Sequence, residues 1–210
     1  MSLLESVHAD YIQQRRIEVL AGHLKPLIPP NSSVLDVGCG DGRLLYRIKQ
    51  ERMDLSFRGI DVLVRKGNLI PVQYFDGENL PAETASVDVV MFIDVLHHSN
   101  DPVSLLREAA RVARKNIIIK DHLVDGLLAE PTLRFMDRIG NARYGVALPG
   151  NYWELNQWKS TFETLEMTPV EWIENLKLYP KALDLFFGRS LHFMAKLDVR
   201  KNSVAICPSG

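Results

Sequence analysis

Short apolar runs alternate with amphipathic stretches through residue 120, and each run has the length of a strand. Val34 to Val37 is a buried strand running into three glycines, after which Arg43-Leu44-Leu45-Tyr46-Arg47-Ile48 takes up a helical period. Ser56 to Asp61 and Val72 to Phe75 follow as strands. Val87 to Asp94 is apolar enough for a central strand covered on both faces. Asp101-Pro102 supplies an N-cap and a first-position proline for a helix reaching about Arg114, and Asn116 to Lys120 is the fifth strand. Ahead of these, Leu4, Val7, Tyr11, Ile12 and Arg15 to Leu20 predict a helix ending near Gly22, with Pro26, Pro29 and Pro30 as an irregular approach to the first strand.

Beyond Asp121 the spacing predicts helices over Leu123 to Ile139 and Glu154 to Leu165, with a loop from Gly140 to Gly150 between them. Val170 to Leu178 and Leu191 to Leu197 read as strands, separated by a short helix within Pro180 to Gly188. Strands alternating with helices predict an α/β fold with a doubly wound, mostly parallel sheet. The expected layout is an N-terminal helical cap (1–30), a principal domain (31–198) carrying a helical insertion or lid (123–166), and a frayed tail (199–210).

Composition narrows the function. The 210 residues are 46% hydrophobic and 24% charged, ordinary for one soluble domain. A formal net charge of -1 offers no basic field to a polyanion, so no nucleic-acid partner is expected. Cys39 and Cys207 stand far apart without a C-x-x-C partner, which argues against a disulfide framework or a zinc site. The first twenty residues carry acids and Arg15-Arg16 instead of a signal peptide's apolar core, and no run is long enough for an integral membrane segment. A cytoplasmic location follows as the expectation.

The chemistry concentrates in Asp36-Val37-Gly38-Cys39-Gly40-Asp41-Gly42. A strand–glycine loop–helix unit leaves backbone N–H groups at a helix N-terminus, where an anionic group is favoured. The spacing is G-x-G-x-G, not the G-x-G-x-x-G of dinucleotide sites. Asp61 closes the second strand nineteen residues after Gly42, where a carboxylate can accept from both hydroxyls of a ribose. With Asp36 two residues ahead of Gly38, the loop resembles that of class I S-adenosylmethionine-dependent methyltransferases. Asp61, Asp76-Gly77-Glu78-Asn79-Leu80-Pro81 and Val87 to His98 follow in that family's order and spacing.

The resemblance covers Ser33 to Asp121 and implies a Rossmann-like, seven-stranded sheet whose last two strands form a hairpin, the final one antiparallel. It implies S-adenosyl-L-methionine as cofactor and S-adenosyl-L-homocysteine as product. By the same resemblance Asp61 serves the ribose, Asp76 and Gly77 the adenine, and Asp94 the methionine portion, with Cys39, Val62 and Val95 completing the cofactor-binding set. Two departures stand out. The stretch from Asp61 to Val72 leaves little room for the usual second helix, and Ala113-Arg114-Lys115-Asn116 replaces a glycine-rich turn before the fifth strand.

Methyl transfer displaces a neutral thioether, so alignment can supply most of the acceleration, and a base is needed only if the acceptor sheds a proton. His97, His98, Asp121 and His122 are the candidates near the strand ends, histidine because its ordinary pKa lies near ~6.5. A metal site from His97, Asp121 and His122 lacks a clear third oxygen ligand, and no metal is expected. Tyr11, Arg15, Arg143, Tyr144 and Tyr152 are the substrate-side candidates, whereas Trp158 and Phe162, four apart on one helix, read as core. The glycine-bounded loop 140–153 is a candidate lid. The expected function is methyl transfer to a small organic or lipid-like acceptor by a monomer or homodimer. A non-catalytic nucleotide-binding or regulatory protein and an NAD-dependent oxidoreductase are the alternatives.

Overall fold

The apolar run at 87–93 becomes β4 (Val87–Ile93), the middle strand of a seven-stranded sheet, buried along its whole length except at Ile93. The structure, a computed structural model, describes residues 3–141, 149–188 and 190–199. The other strands are β1 (Ser33–Val37), β2 (Ser56–Asp61), β3 (Val72–Tyr74), β5 (Ala113–His122), β6 (Thr168–Glu174) and β7 (His192–Asp198), in the order β3-β2-β1-β4-β5-β7-β6. The first five run parallel; β7 inserts antiparallel between β5 and β6. The sheet is therefore the α/β, doubly wound, mostly parallel sheet expected, with the antiparallel strand in its expected place.

Alternate residues of the central strands feed two apolar layers. Val90 and Phe92 of β4 pack with Leu105, Leu106 and Ala109 of α3 (Pro102–Val112) and with Trp158 and Phe162 of α5 (Leu155–Thr164), which are core as read. Val89 and Met91 face the opposite side, against Leu20, Ala21 and Leu24 of α1 (Leu3–Leu27) and Leu45 and Ile48 of α2 (Arg43–Lys49). The second half of α1 is thus part of the core. Asp101 caps α3 by accepting from the Ser104 amide at 2.9 Å, as the Asp-Pro pair predicts.

Several boundaries differ from the sequence reading. The helix α1 continues past Gly22 to Leu27 with Pro26 in its last turn. Ala21 and Leu24 are fully buried while Gly22 and Pro26 face solvent, so packing outweighs the glycine penalty of roughly 1 kcal/mol. The carbonyl that proline deprives of a partner belongs to exposed Gly22, where water can serve it. No helix begins at Leu123: β5 runs to His122, Gly126 and Leu128 take positive φ, and α4 spans Ala129–Asn141 with Pro131 in its first turn. The strand expected to reach Leu178 stops at Glu174, because Asn175 and Lys177 turn into the left-handed region. The short helix α6 (Lys181–Phe187) forms where expected. Both departures seen in the sequence are real: 62–71 carries no helix, and α3 passes directly into β5. No helix among the described residues is long and apolar enough to cross a membrane.

Candidate functional site

The strand order reverses between β1 and β4, so the loops after these strands diverge and leave a crevice at the carboxyl end of the sheet. A cleft of about 200 Å³ lies there, lined by Asp36, Gly38, Cys39, Gly40 and Asp41 from the glycine loop, by Ile93 and Asp94 from the end of β4, and by Gln13, Arg16 and Ile17 of α1. Gly38 and Gly42 make the loop possible. Both have positive φ, and a Cβ would stand 2.5 Å from Val95 Cγ2 at the first and 2.2 Å from Ile70 Cγ1 at the second. Val95 is thereby placed against the loop.

The amides expected to be bare are largely engaged. Gly38 and Cys39 donate to the Ile60 carbonyl at 2.8 and 3.1 Å, Gly42 donates to the Cys39 carbonyl at 3.0 Å, and Gly40 donates to Asp61 Oδ2 at 2.8 Å. Asp61 Oδ1 accepts from Leu63 N at 2.8 Å. Asp61 therefore fixes the glycine loop to the end of β2 and has part of its capacity committed before any sugar arrives. The unmet acceptor is next door. Asp36 Oδ1 is buried with no hydrogen-bond partner, and burial, aided by the neighbouring Asp61 charge, pushes its carboxyl up to about 8. An acceptor of this kind beside a cleft suits a cationic or hydroxyl-bearing ligand, and S-adenosylmethionine offers both.

Asp94 lines the cleft with its charge already paired. It adopts φ 58°, and its carboxylate accepts from Arg16 Nη2 at 2.7 Å and from the ammonium of Lys120, a side chain with no exposure in β5. Burial alone would raise the Asp94 carboxyl, but Lys120 and Arg16 hold it well below the usual range. Burial pulls Lys120 downward against the pull of Asp94. The acid assigned to the methionine portion is thus paired with two side-chain cations. Arg16 and Lys120 were missed: Arg16 sits on the helical face beside the cleft, and Lys120 ends the run Ile117-Ile118-Ile119, the one signal that could have found it.

On the far side, Asp76 closes an Asx turn, accepting from the amides of Glu78 (2.8 Å) and Asn79 (2.7 Å) and from Asn79 Nδ2 (3.0 Å). Its carboxyl is lowered to about 2, by the Asn79 side chain first. Gly77 (φ 90°), assigned with Asp76 to the adenine, lies against Val62 of the cofactor-binding set, which is exposed.

The histidine candidates form a second cluster at the ends of β4 and β5. A 3-10 turn at Leu96–His98 turns His97 inward, where its Nδ1 lies 2.6 Å from Asp121 Oδ1. Asp121 also accepts from Leu96 N (3.0 Å) and His122 N (2.8 Å), which locks it in place. Burial opposes the charged form of His97, but Asp121, with Asp137 and Asp94 behind it, raises its pKa overall. Burial, reinforced by His97, keeps His98 and His122 below the ordinary histidine value. The His97 ring lies 3.9 Å from His98, 4.5 Å from His122 and, stacked, 5.6 Å from Tyr152, centre to centre. Tyr152 is placed by Asn151, which donates from its backbone to His97 O (3.1 Å) and from its side chain to Ser99 O (2.6 Å).

The Tyr152 hydroxyl donates to Asp137 of α4, a residue absent from the sequence reading because the placement of its helix decides what it meets. All four catalytic candidates thus come together with Tyr152. Tyr11 is exposed on α1, and Arg15 donates to Lys177 O at 3.2 Å, so it ties α1 to the segment after β6 and does not face the cleft. Arg143 and Tyr144 lie outside the described residues, as does half of the candidate lid. Cys39 is a free thiol, and Cys207 lies outside the described residues.

Comparison with known proteins agrees with this layout. Residues 35–119 match the family described as "Methyltransferase domain". The 27-O-demethylrifamycin SV methyltransferase of Amycolatopsis mediterranei is 31% identical over 52% of this chain and 44% of its own length. Ribosomal RNA-processing protein 8 of Caenorhabditis elegans is 32% identical over 51% of this chain and 27% of its own. The chain thus spans less than half the length of these relatives. A SAM-dependent methyltransferase from Aquifex aeolicus superposes with a TM-score of 0.58, covering 85% of this chain and 88% of that one at 17% identity, a likeness of fold. The matched stretch contains the glycine loop and the strand ends that build the cleft, and the sheet has the fold of S-adenosylmethionine-dependent methyltransferases.

Proposed function

We propose that the protein transfers the methyl group of S-adenosylmethionine to a small organic or lipid-like acceptor held over the ends of β4 and β5. One observation carries this reading: the cleft at the glycine loop and the histidine cluster adjoin at Asp94, whose Oδ1 lies 3.7 Å from His122 Nε2. When bound, S-adenosylmethionine supplies an activated methyl group on a sulfonium centre and leaves as S-adenosylhomocysteine. Asp36 and Asp61 hold the polar parts of that ligand from below, while Gly77 and Val62 offer a face for its base. Arg16 and Lys120 fix Asp94 between donor and acceptor. The cluster of His97, His98, His122 and Tyr152 orients the acceptor and receives its proton where one must leave.

The relative that methylates demethylrifamycin supports a small acceptor. Another relative carries ribosomal RNA in its name, but a net charge of -1 gives this chain little hold on a polyanion. Incubation with methyl-labelled S-adenosylmethionine, against hydroxylated small molecules, extracted lipids and ribosomal RNA in separate arms, tests the reading. Label in a small-molecule or lipid product is expected. Label in RNA alone overturns the acceptor assignment, and cofactor binding without product in any arm favours a regulatory protein.

A further inference from the structure

Several imidazole nitrogens near the strand ends have nothing to bond with. His97 Nε2 and His98 Nδ1 are both buried and without a hydrogen-bond partner, and His97 as a whole is 2% exposed. An unpaired ring nitrogen in a closed site is costly unless a ligand normally meets it. One donor atom from each of His97, His98 and Asp137 falls within 4.8 Å of the others. His97 Nε2 stands 3.4 Å from Asp137 Oδ2, at the limit for a hydrogen bond. Two ligands each about 2.1 Å from a tetrahedral ion are themselves separated by about 3.4 Å. That spacing belongs to a shared ion better than to a hydrogen bond.

The surroundings agree. A histidine that ligates a metal ordinarily gives its other ring N–H to a carboxylate, and His97 Nδ1 faces Asp121 at 2.6 Å. Asp121 is itself pinned by two backbone amides, which suits a supporting group and argues against its being a ligand. The Tyr152 hydroxyl plays the matching part for Asp137. We infer that His97, His98 and Asp137 form a binding site for a divalent transition-metal ion, with Asp121 and Tyr152 orienting its ligands. Two imidazoles and one carboxylate suit ions of the iron-to-zinc series and are poor in oxygen for magnesium or calcium.

Three protein ligands leave coordination positions for a non-protein oxygen. On the methyltransferase reading above, this restricts the acceptor to compounds offering an oxygen to the ion, such as a phenol, hydroxy acid or keto acid. The metal site itself does not depend on that reading.

The test is a Co²⁺ titration of chelator-treated full-length protein, followed by visible ligand-field absorption and by calorimetry, with Zn²⁺ as competitor. One equivalent of Co²⁺ should bind with a visible band that Zn²⁺ removes. His98→Ala and Asp137→Asn should each weaken binding by about tenfold or more, and Asp121→Asn by roughly 10–100-fold through loss of orientation. His23→Ala, on α1 away from the cluster, should leave it unchanged. Circular dichroism confirms folding, and if Asp137→Asn does not fold, the part-exposed His98 carries the test. Absence of a visible band, or wild-type binding in His98→Ala, overturns the inference. S-adenosylmethionine affinity measured on the same samples separates failure of the metal site from failure of the cofactor reading.

Discussion

Replacing Asp94 with asparagine removes the counter-ion of a lysine that has no access to solvent. Asparagine keeps the shape and is among the residues that best tolerate the left-handed backbone at this position (φ 58°), so the change isolates charge. Breaking one half of a buried ion pair costs about 3–5 kcal/mol, because the remaining charge is stranded. Asp94 retains 21% and Arg16 28% side-chain exposure, whereas Lys120 has none. Water can therefore relieve Arg16 but not Lys120, which places the cost near the lower end, about 3 kcal/mol. For a domain of this size that is a fall in Tm of about 6–12 °C. The second arm is Asp94→Asn combined with Lys120→Met, which removes both charges and keeps most of the volume. Urea titrations of the wild type, both single variants and the double variant should give a coupling of at least about 1.5 kcal/mol, the double variant being more stable than Asp94→Asn alone. Effects that add to within about 0.5 kcal/mol would show that the Lys120 ammonium does not depend on Asp94.

Asp36 gives a pH signature. Its carboxyl is lifted to about 8, so the folded chain keeps a proton that the unfolded chain has released. The stability it contributes is present at low pH and is lost as pH rises from about 4 towards 8, by up to about 1.4 kcal/mol per unit. Asp36→Asn should flatten that slope in urea titrations of cofactor-free protein at pH 5 and pH 7.5, and an unaltered slope would count against burial of the carboxyl. Gly38→Ala should cost about 2–4 kcal/mol from left-handed backbone plus the contact with Val95, and Val95→Ala added to it should return part of the loss in thermal melts. Asp61→Ala frees the Gly40 and Leu63 amides and should weaken S-adenosylmethionine binding by about tenfold or more by calorimetry. An unchanged Kd would remove Asp61 from the cofactor site.

The sheet was legible because its signals are local. The bounds of β2 follow from the run Ser56 to Asp61, and the short apolar strands order themselves once helices separate them. Boundaries failed where tertiary packing outvoted a breaker, as at Gly22 and Pro26, or where a breaker was underweighted, as at Gly126 and Pro131. At the site, the glycines, Asp61 and the His97–His98 pair could be found because each sits at the end of an apolar run. Asp137 and Arg16 could not, since each lies on a helix whose orientation decides whether an ionic side chain meets solvent or its neighbours. Asp94 was located correctly but its partners were not. An acid in a sequence does not disclose which cations the fold will bring to it.

The interlaced amides of the glycine turn have a kinetic consequence. Because Ile60, Cys39 and Asp61 already satisfy them, an arriving molecule meets a finished surface and has no floppy hairpin to tame. Little ordering entropy is spent on capture. Encounter should therefore be governed by diffusion and by shedding of hydration, with discrimination appearing in how slowly the captured molecule escapes.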